Sequence, residues 1–146
     1  MRLTQGRYAF LPLRLFPAVR DSDLPFAQDC MGDQFVLRGG VVHRLSGETG
    51  ELASMHMGWT EFFEQLTANP FDFLQLHPLV QFQREGGHLQ PGQLLNAYPP
   101  FSAEGSGSGV SLSAVPIDQR MHFLAKLSRL LSGVPSGQKY RITVSK

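Results

Sequence analysis

The chain of 146 residues contains one cysteine, Cys30, so an intramolecular disulfide cannot form and a cysteine-built zinc site is excluded. A lone thiol fits a reducing compartment, and the cytoplasm is the expected location. Long apolar runs are also missing. No stretch approaches the ~20 residues needed to cross a bilayer, so no membrane association is expected. The opening MRLTQGRYAFLPLRLFPAV imitates a signal peptide, but Pro12, Arg14 and Pro17 interrupt it, and it reads as folded chain. Charge of one sign is scarce too: 13 basic and 12 acidic residues leave a net charge of +1. That supplies no broad field for counterion release from a nucleic-acid backbone, so nucleic acid is not an expected partner. There is no HExxH, no G-x-S-x-G elbow and no glycine loop followed by Lys-Ser or Lys-Thr, which removes the commonest sequence cues for zinc-protease, serine-hydrolase and P-loop chemistry.

What is present is core material. Hydrophobic residues make up 42% of the chain and include 11 Phe, and a domain near this length buries roughly 70% of the surface its unfolded chain exposes. Residues Arg7 to Val19 carry two prolines and predict an extended, edge-type segment. Asp21-Ser22-Asp23 make a turn, and LPFAQDCMGD reads as irregular chain because Pro25 disfavours a helix and Gly32 signals another turn. Two strands follow, Gln34 to Arg38 and Val41 to Leu45, joined by Gly39-Gly40, a strong hairpin signal. After the turn Ser46 to Glu51, residues Leu52 to Met55 return as a third strand.

From Gly58 the period changes. Trp59, Phe62, Phe63 and Leu66 fall at i, i+3, i+4 and i+7, the apolar face of a helix, and are read as core. Asn69-Pro70 ends that helix and starts another, His77-Pro78 repeats the arrangement, and Gly86-Gly87 closes the helical region. GQLLNAYPPF predicts a strand ended by Pro99-Pro100, SAEGSGSG a flexible loop, and Val110 to Val115 another strand. The best helix follows Pro116, with Ile117, Met121, Leu124, Leu127 and Leu131 as its buried stripe and Asp118, His122, Lys126 and Arg129 facing water. Lys139 to Ser145 alternates as a final strand.

The residues able to carry chemistry gather in DCMGDQFVLRGGVVHRLSGETGEL, from Asp29 to Leu52. A calcium loop needs oxygen ligands at its first, third and fifth positions, where this chain has Asp29, Met31 and Asp33. The methionine breaks the pattern, so the two aspartates are expected to hydrogen-bond backbone in a turn. The five histidines, His43, His56, His77, His88 and His122, have no zinc-helix spacing and read as surface or boundary residues. Cys30 is expected to be a buried or half-buried thiol. Lys126, Arg129 and Lys139 read as a solvated helix face and strand end.

The run LPFAQDCMGDQFVLRGGVVHRLSGETGELASMHMGWTEFFEQL resembles the SUKH superfamily, bacterial immunity proteins together with a yeast regulator of glucan synthesis. In that pattern an apolar-Pro-Phe-Ala segment leads into an Asp and a Gly-Asp pair, then a hairpin, then an aromatic-rich helix. The resemblance covers about residues 24–68. Only 23 residues precede Leu24, too few for the N-terminal helix and Leu-Pro segment of family members, which implies a truncated or divergent member.

The resemblance implies a single α+β domain over residues 1–146, SUKH-like, with a mainly antiparallel sheet covered by helices and a C-terminal extension, 92–146, packed on it. It also implies a non-enzymatic domain that binds another protein, a cognate toxin effector or a signalling partner, with no metal and no cofactor. The meander and the later strands are expected to share the sheet. On expected exposure, Arg38, His43 and Arg44 on the hairpin and Tyr98 and Phe101 beside the Gly-Ser loop are the partner-binding residues. Two alternatives stand beside this reading: an enzyme using Cys30 or the Asp29/Asp33 pair with a distant His, and a structural subunit of a secretion or envelope assembly using the apolar Tyr8 to Phe16 edge. The sequence leaves the oligomeric state open.

Overall fold

The computed structural model describes residues 2–3, by backbone alone, and residues 13–134. In chain order the elements are β1 (Arg2–Leu3), β2 (Leu24–Gln28), β3 (Gln34–Arg38), β4 (Val41–Leu45), β5 (Leu52–Ser54), α1 (Trp59–Ala68), α2 (Pro70–Phe73), α3 (His77–Arg84), β6 (Gln93–Tyr98), a 3-10 helix (Glu104–Ser108), β7 (Ser111–Pro116) and α4 (Ile117–Ser132). The fold is α+β. Its main sheet is antiparallel in the order β1-β2-β3-β4-β5.

The expected hairpin forms with Arg38 opposite Val41. Its two-residue turn has positive φ at both Gly39 (+56°) and Gly40 (+78°), the region that side chains disfavour and that matches the twist of the flanking strands. The helices also start where the sequence marks them. Asn69 caps α2 by accepting the Asp72 N–H, with Pro70 as the first helical residue, and α3 begins at His77-Pro78.

Five expectations are corrected. Trp59, read as core with Phe62, Phe63 and Leu66, is 45% exposed: as the first residue of α1 it packs on Phe26 and Phe63 at the edge of the aromatic cluster without being enclosed by it. Leu24–Gln28 is a strand instead of irregular chain. Pro25 is tolerated because β1 pairs only with Ala27 and Gln28, and the β2–β3 register shifts between Pro25 and Ala27, an edge and a bulge where a missing N–H matters least. The described part of the supposed edge segment, Leu13 to Val19, is turned instead of extended. Phe16 N donates to Leu13 O and Val19 N to Phe16 O, and Leu13 and Phe16 are buried. The later strands do not join the main sheet: β6 and β7 form their own two-stranded sheet. Finally, the Gly-Ser stretch closes into the 3-10 helix, with Ser106 Oγ donating to Phe101 O. The expected strand Lys139 to Ser145 lies outside the described residues.

Because side chains alternate along a strand, Val42 and Leu45 of β4 look to opposite faces of the sheet, and each face has its own core. On one, Phe26, Ala27, Phe35 and Val42 pack with Phe62 of α1 and Leu74 after α2. On the other, Leu45 packs with Leu13, Phe16, Leu94 of β6 and Met121, Leu124 and Ala125 of α4. The part of the chain after Gly92 therefore completes the second core. The α4 stripe runs as expected at Met121, Leu124 and Leu127, but Arg120, Ala125 and Ser128 are also buried while Ile117 and Leu131 are only half-covered.

Candidate functional site

The loop Asp29 to Asp33, between β2 and β3, ties the main sheet to the second hairpin. Asp29 Oδ1 accepts the backbone N–H groups of Met31, Gly32 and Asp33, each at 3.0 Å, so the side chain fixes the turn, as an aspartate in a tight loop commonly does. Its other oxygen, Oδ2, receives Arg44 Nη2 at 2.9 Å. Asp33 Oδ2 accepts Arg44 Nε at 3.0 Å and lies 2.9 Å from Nη2. Asp33 Oδ1 accepts the Gly47 N–H. Arg44 also lies over the Phe35 ring, 5.4 Å from its centroid. A Cβ on Gly32 or Gly47 would meet Leu124 Cδ1 at 2.8 or 2.7 Å, so glycine at both positions lets α4 press against the loop and the following turn.

From the other side, Cys30 O accepts the Leu95 N–H of β6 at 2.8 Å. Arg120, only 1% exposed, donates from Nε to Met31 O and from Nη1 to Asn96 Oδ1. Burial lowers its pKa, against the fields of Glu48, Asp33 and Asp29, yet an arginine stays protonated in a protein. Burial first and the Asp33 carboxylate second push Asp29 up to about 7, while Arg44 and the backbone donors oppose them. Burial, then the Asp29 charge, pushes the Cys30 thiol up to about 12, opposite to the lowering that makes a cysteine a nucleophile.

The acid–histidine constellation of the enzyme alternative is not assembled among the described residues. His43 Nδ1 lies 3.1 Å from its own strand's Val41 O, and His122 Nδ1 is 2.8 Å from Asp118 O on its own helix. No group of His, Cys, Asp or Glu there has a metal-holding arrangement, and no described helix is long and apolar enough to cross a membrane. One open cleft of about 430 Å³ is lined by Phe71, His77, Val80, Gln81, Arg84 and Glu85. Gln81 is tied inside it, donating to Glu85 Oε1 and Val110 O.

The five proposed partner-binding residues divide into two groups. Tyr98 and Phe101 are 60% and 45% exposed, on either side of Pro99-Pro100. The hairpin residues are less available than their strand positions imply. Arg38 is bidentate on Asp23 and also donates to Ala18 O, Arg44 is held by Asp29 and Asp33, and His43 is half-buried. The expectation that both arginines stand free is thus corrected: carboxylates distant in the chain occupy them.

Two residues organise this region: Arg120, which sequence reasoning passed over, and Glu48, which it weighed only as an oxygen ligand beside Asp29 and Asp33. Arg120 stands at i, i+4 and i+7 with Leu124 and Leu127, a spacing that placed it on the buried stripe, but its charge argued the other way. Glu48, in the turn after β4, accepts the N–H groups of Phe101 and Ser102 at 2.9 and 2.7 Å. No local pattern announces that pair.

Comparison of the chain with protein-family models, with curated proteins and with solved structures gives no match.

Proposed function

We propose that this is a non-enzymatic protein-binding domain of the immunity-protein or regulatory-scaffold type, working in a reducing, cytoplasmic setting, with Tyr98 and Phe101 as anchors. The observation that carries the reading is two exposed aromatic rings held on a fixed backbone. Glu48 receives the Phe101 and Ser102 N–H groups, Ala103 N donates to Pro100 O, and Ser106 Oγ donates to Phe101 O. Aromatic side chains bring large contact area with few torsions to freeze, and a loop ordered before binding loses less entropy on association.

Two further features support it. The ionisable groups around Asp29 are engaged in holding the fold together. The segment that carries the SUKH resemblance, residues 24–68, contains the polar turn, the hairpin and the aromatic helix in the order on which the resemblance rests. Such a domain neutralises an effector or bridges signalling proteins by contact alone.

Affinity capture from the source cells with the native chain and with a Tyr98→Ser/Phe101→Ser variant tests the proposal. A protein retained by the native chain and lost by the variant, whose thermal melt is unchanged, is the expected result. Equal capture by both chains would overturn the assignment.

A further inference from the structure

The opposite end of the main sheet carries a second apolar surface. Trp59, the only tryptophan in the chain, opens α1 and is 45% exposed, and Leu24, which opens β2, is 53% exposed. Three observations bring them to the same corner. Leu24 pairs with Leu37, which packs against the cluster that α1 covers. The Trp59 ring sits 4.7 Å from Phe26 and 4.8 Å from Phe63. Gly58, just before it, lies against Gly40 O in the hairpin turn. The Tyr98–Phe101 corner is instead tied to Glu48, past the far end of β4.

The charged side chains that α1 itself carries are acidic. Glu61 and Glu64 stand exposed on α1 and form no ion pair among the described residues. Of the guanidiniums near Leu24, Arg38 is already bidentate on Asp23, and the charge of Arg20 also acts on Asp23. The wider segment, residues 45–119, has eight acidic residues and one basic residue, Arg84, whereas residues 120–146 have six basic and none acidic. The net charge of +1 conceals this segregation.

We infer that Leu24, Trp59 and the α1 carboxylates form a second docking surface, separate from Tyr98 and Phe101, that takes a Lys/Arg-bearing segment of a partner protein with an apolar anchor. Tryptophan is the residue most often found at the energetic centre of an interface, and its ring attracts a cation. The flanking carboxylates supply steering and select against acidic partners. A phosphate-rich ligand is disfavoured for the same reason.

Because Trp59 is alone, its emission reports on this surface in the intact protein. Two peptides of equal length with the same apolar anchor, one bearing Lys and Arg and the other Glu, are titrated against the full chain. The basic peptide is expected to shift Trp59 emission to the blue and to bind at least ~tenfold tighter than the acidic one, an advantage that shrinks as salt rises from about 50 to about 300 mM. Glu61→Lys/Glu64→Lys reverses the preference, with emission of the free protein unchanged. Phe101→Ser leaves the titration as it is, so this surface stands or falls apart from the one proposed above. Equal binding of the two peptides, or no shift with either, overturns the inference. So does loss of the shift in Phe101→Ser. A mass that rises with concentration in light scattering, with parallel burial of Trp59, would instead make a second copy of the chain the occupant and overturn the partner assignment.

Discussion

Two arginine–aspartate pairs in this molecule share a spacing of fifteen residues, Asp23 with Arg38 and Asp29 with Arg44, yet their carboxyls behave oppositely. Asp23 has a guanidinium to itself, in a bidentate pair of 2.7 and 2.6 Å, and a second donor in the Arg20 N–H. Hydrogen bonding to Arg38 is the largest cause of its lowered pKa. Asp29 shares its guanidinium with Asp33, and burial, then the neighbouring charge, raises it. Residue type and separation are the same. The number of carboxylates per arginine and the packing around each carboxyl decide the sign.

The largest effect is expected from removing the shared cation. Arg44→Met leaves the buried Asp29 beside the half-buried Asp33 without compensation and also frees the loop that receives Arg120. Breaking one partner of a buried pair commonly costs about 3–5 kcal/mol, and urea unfolding should place the loss near the lower end because Arg44 keeps 20% of its side chain exposed. Replacing Asp23 is a smaller change. Asp23→Asn retains the shape and one acceptor but loses the charge, for an expected loss of about 2 kcal/mol at pH 7. The folded-state pKa of Asp23 lies below its ordinary value, so its contribution is present above about pH 4 and lost as pH falls through the folded value. The gap between variant and native melting temperatures should therefore close in acid.

The third expectation sharpens the contrast. A carboxyl raised in the folded state contributes stability below its ordinary pKa, 3.8, and that contribution disappears as pH rises towards about 7. Asp29 thus gives a stability limb that falls between about pH 4 and pH 7, on the other side of the Asp23 limb. In Asp29→Asn, which keeps an oxygen for the three backbone N–H groups, melting temperature against pH should lose this descent. A descent that persists unchanged in Asp29→Asn would mean that Asp29 is ionised throughout the range, like Asp23.

Much of this architecture was legible before any coordinates. Gly39-Gly40 specified a turn whose geometry only glycine adopts cheaply, and the 3.6-residue spacing of Trp59, Phe62, Phe63 and Leu66 specified a helix face. Asn69-Pro70 marked the boundary between two helices. These signals are local. The misreadings came where a local signal met a distant partner: Pro25 read as a break until β1 and the bulge accommodated it, and the Gly-Ser stretch read as a flexible loop, whereas Glu104–Ser108 form a 3-10 helix and Glu48 holds the Phe101 and Ser102 N–H groups at its start. Arg38 and Arg44 read as free surface cations because nothing within a strand's length reveals a carboxylate fifteen residues back. Tyr98 and Phe101 were singled out on expected exposure beside the Gly-Ser loop, and they are exposed. The carboxylate that holds the Phe101 and Ser102 N–H groups, Glu48, lies more than fifty residues away.

The sequence alone determined the first hairpin, the helix starts at Asn69-Pro70 and His77-Pro78 and the impossibility of an intramolecular disulfide, because periodicity, turn chemistry and residue inventory are properties of neighbours along the chain. Tertiary structure alone decided that β6 and β7 leave the main sheet, that Arg120 lies buried between the two sheets, and that one aspartate gains acidity while its counterpart loses it. Those outcomes depend on which charges and hydrogen-bond donors meet across the fold and how much water remains between them, and folding sets both quantities only when distant segments close on each other.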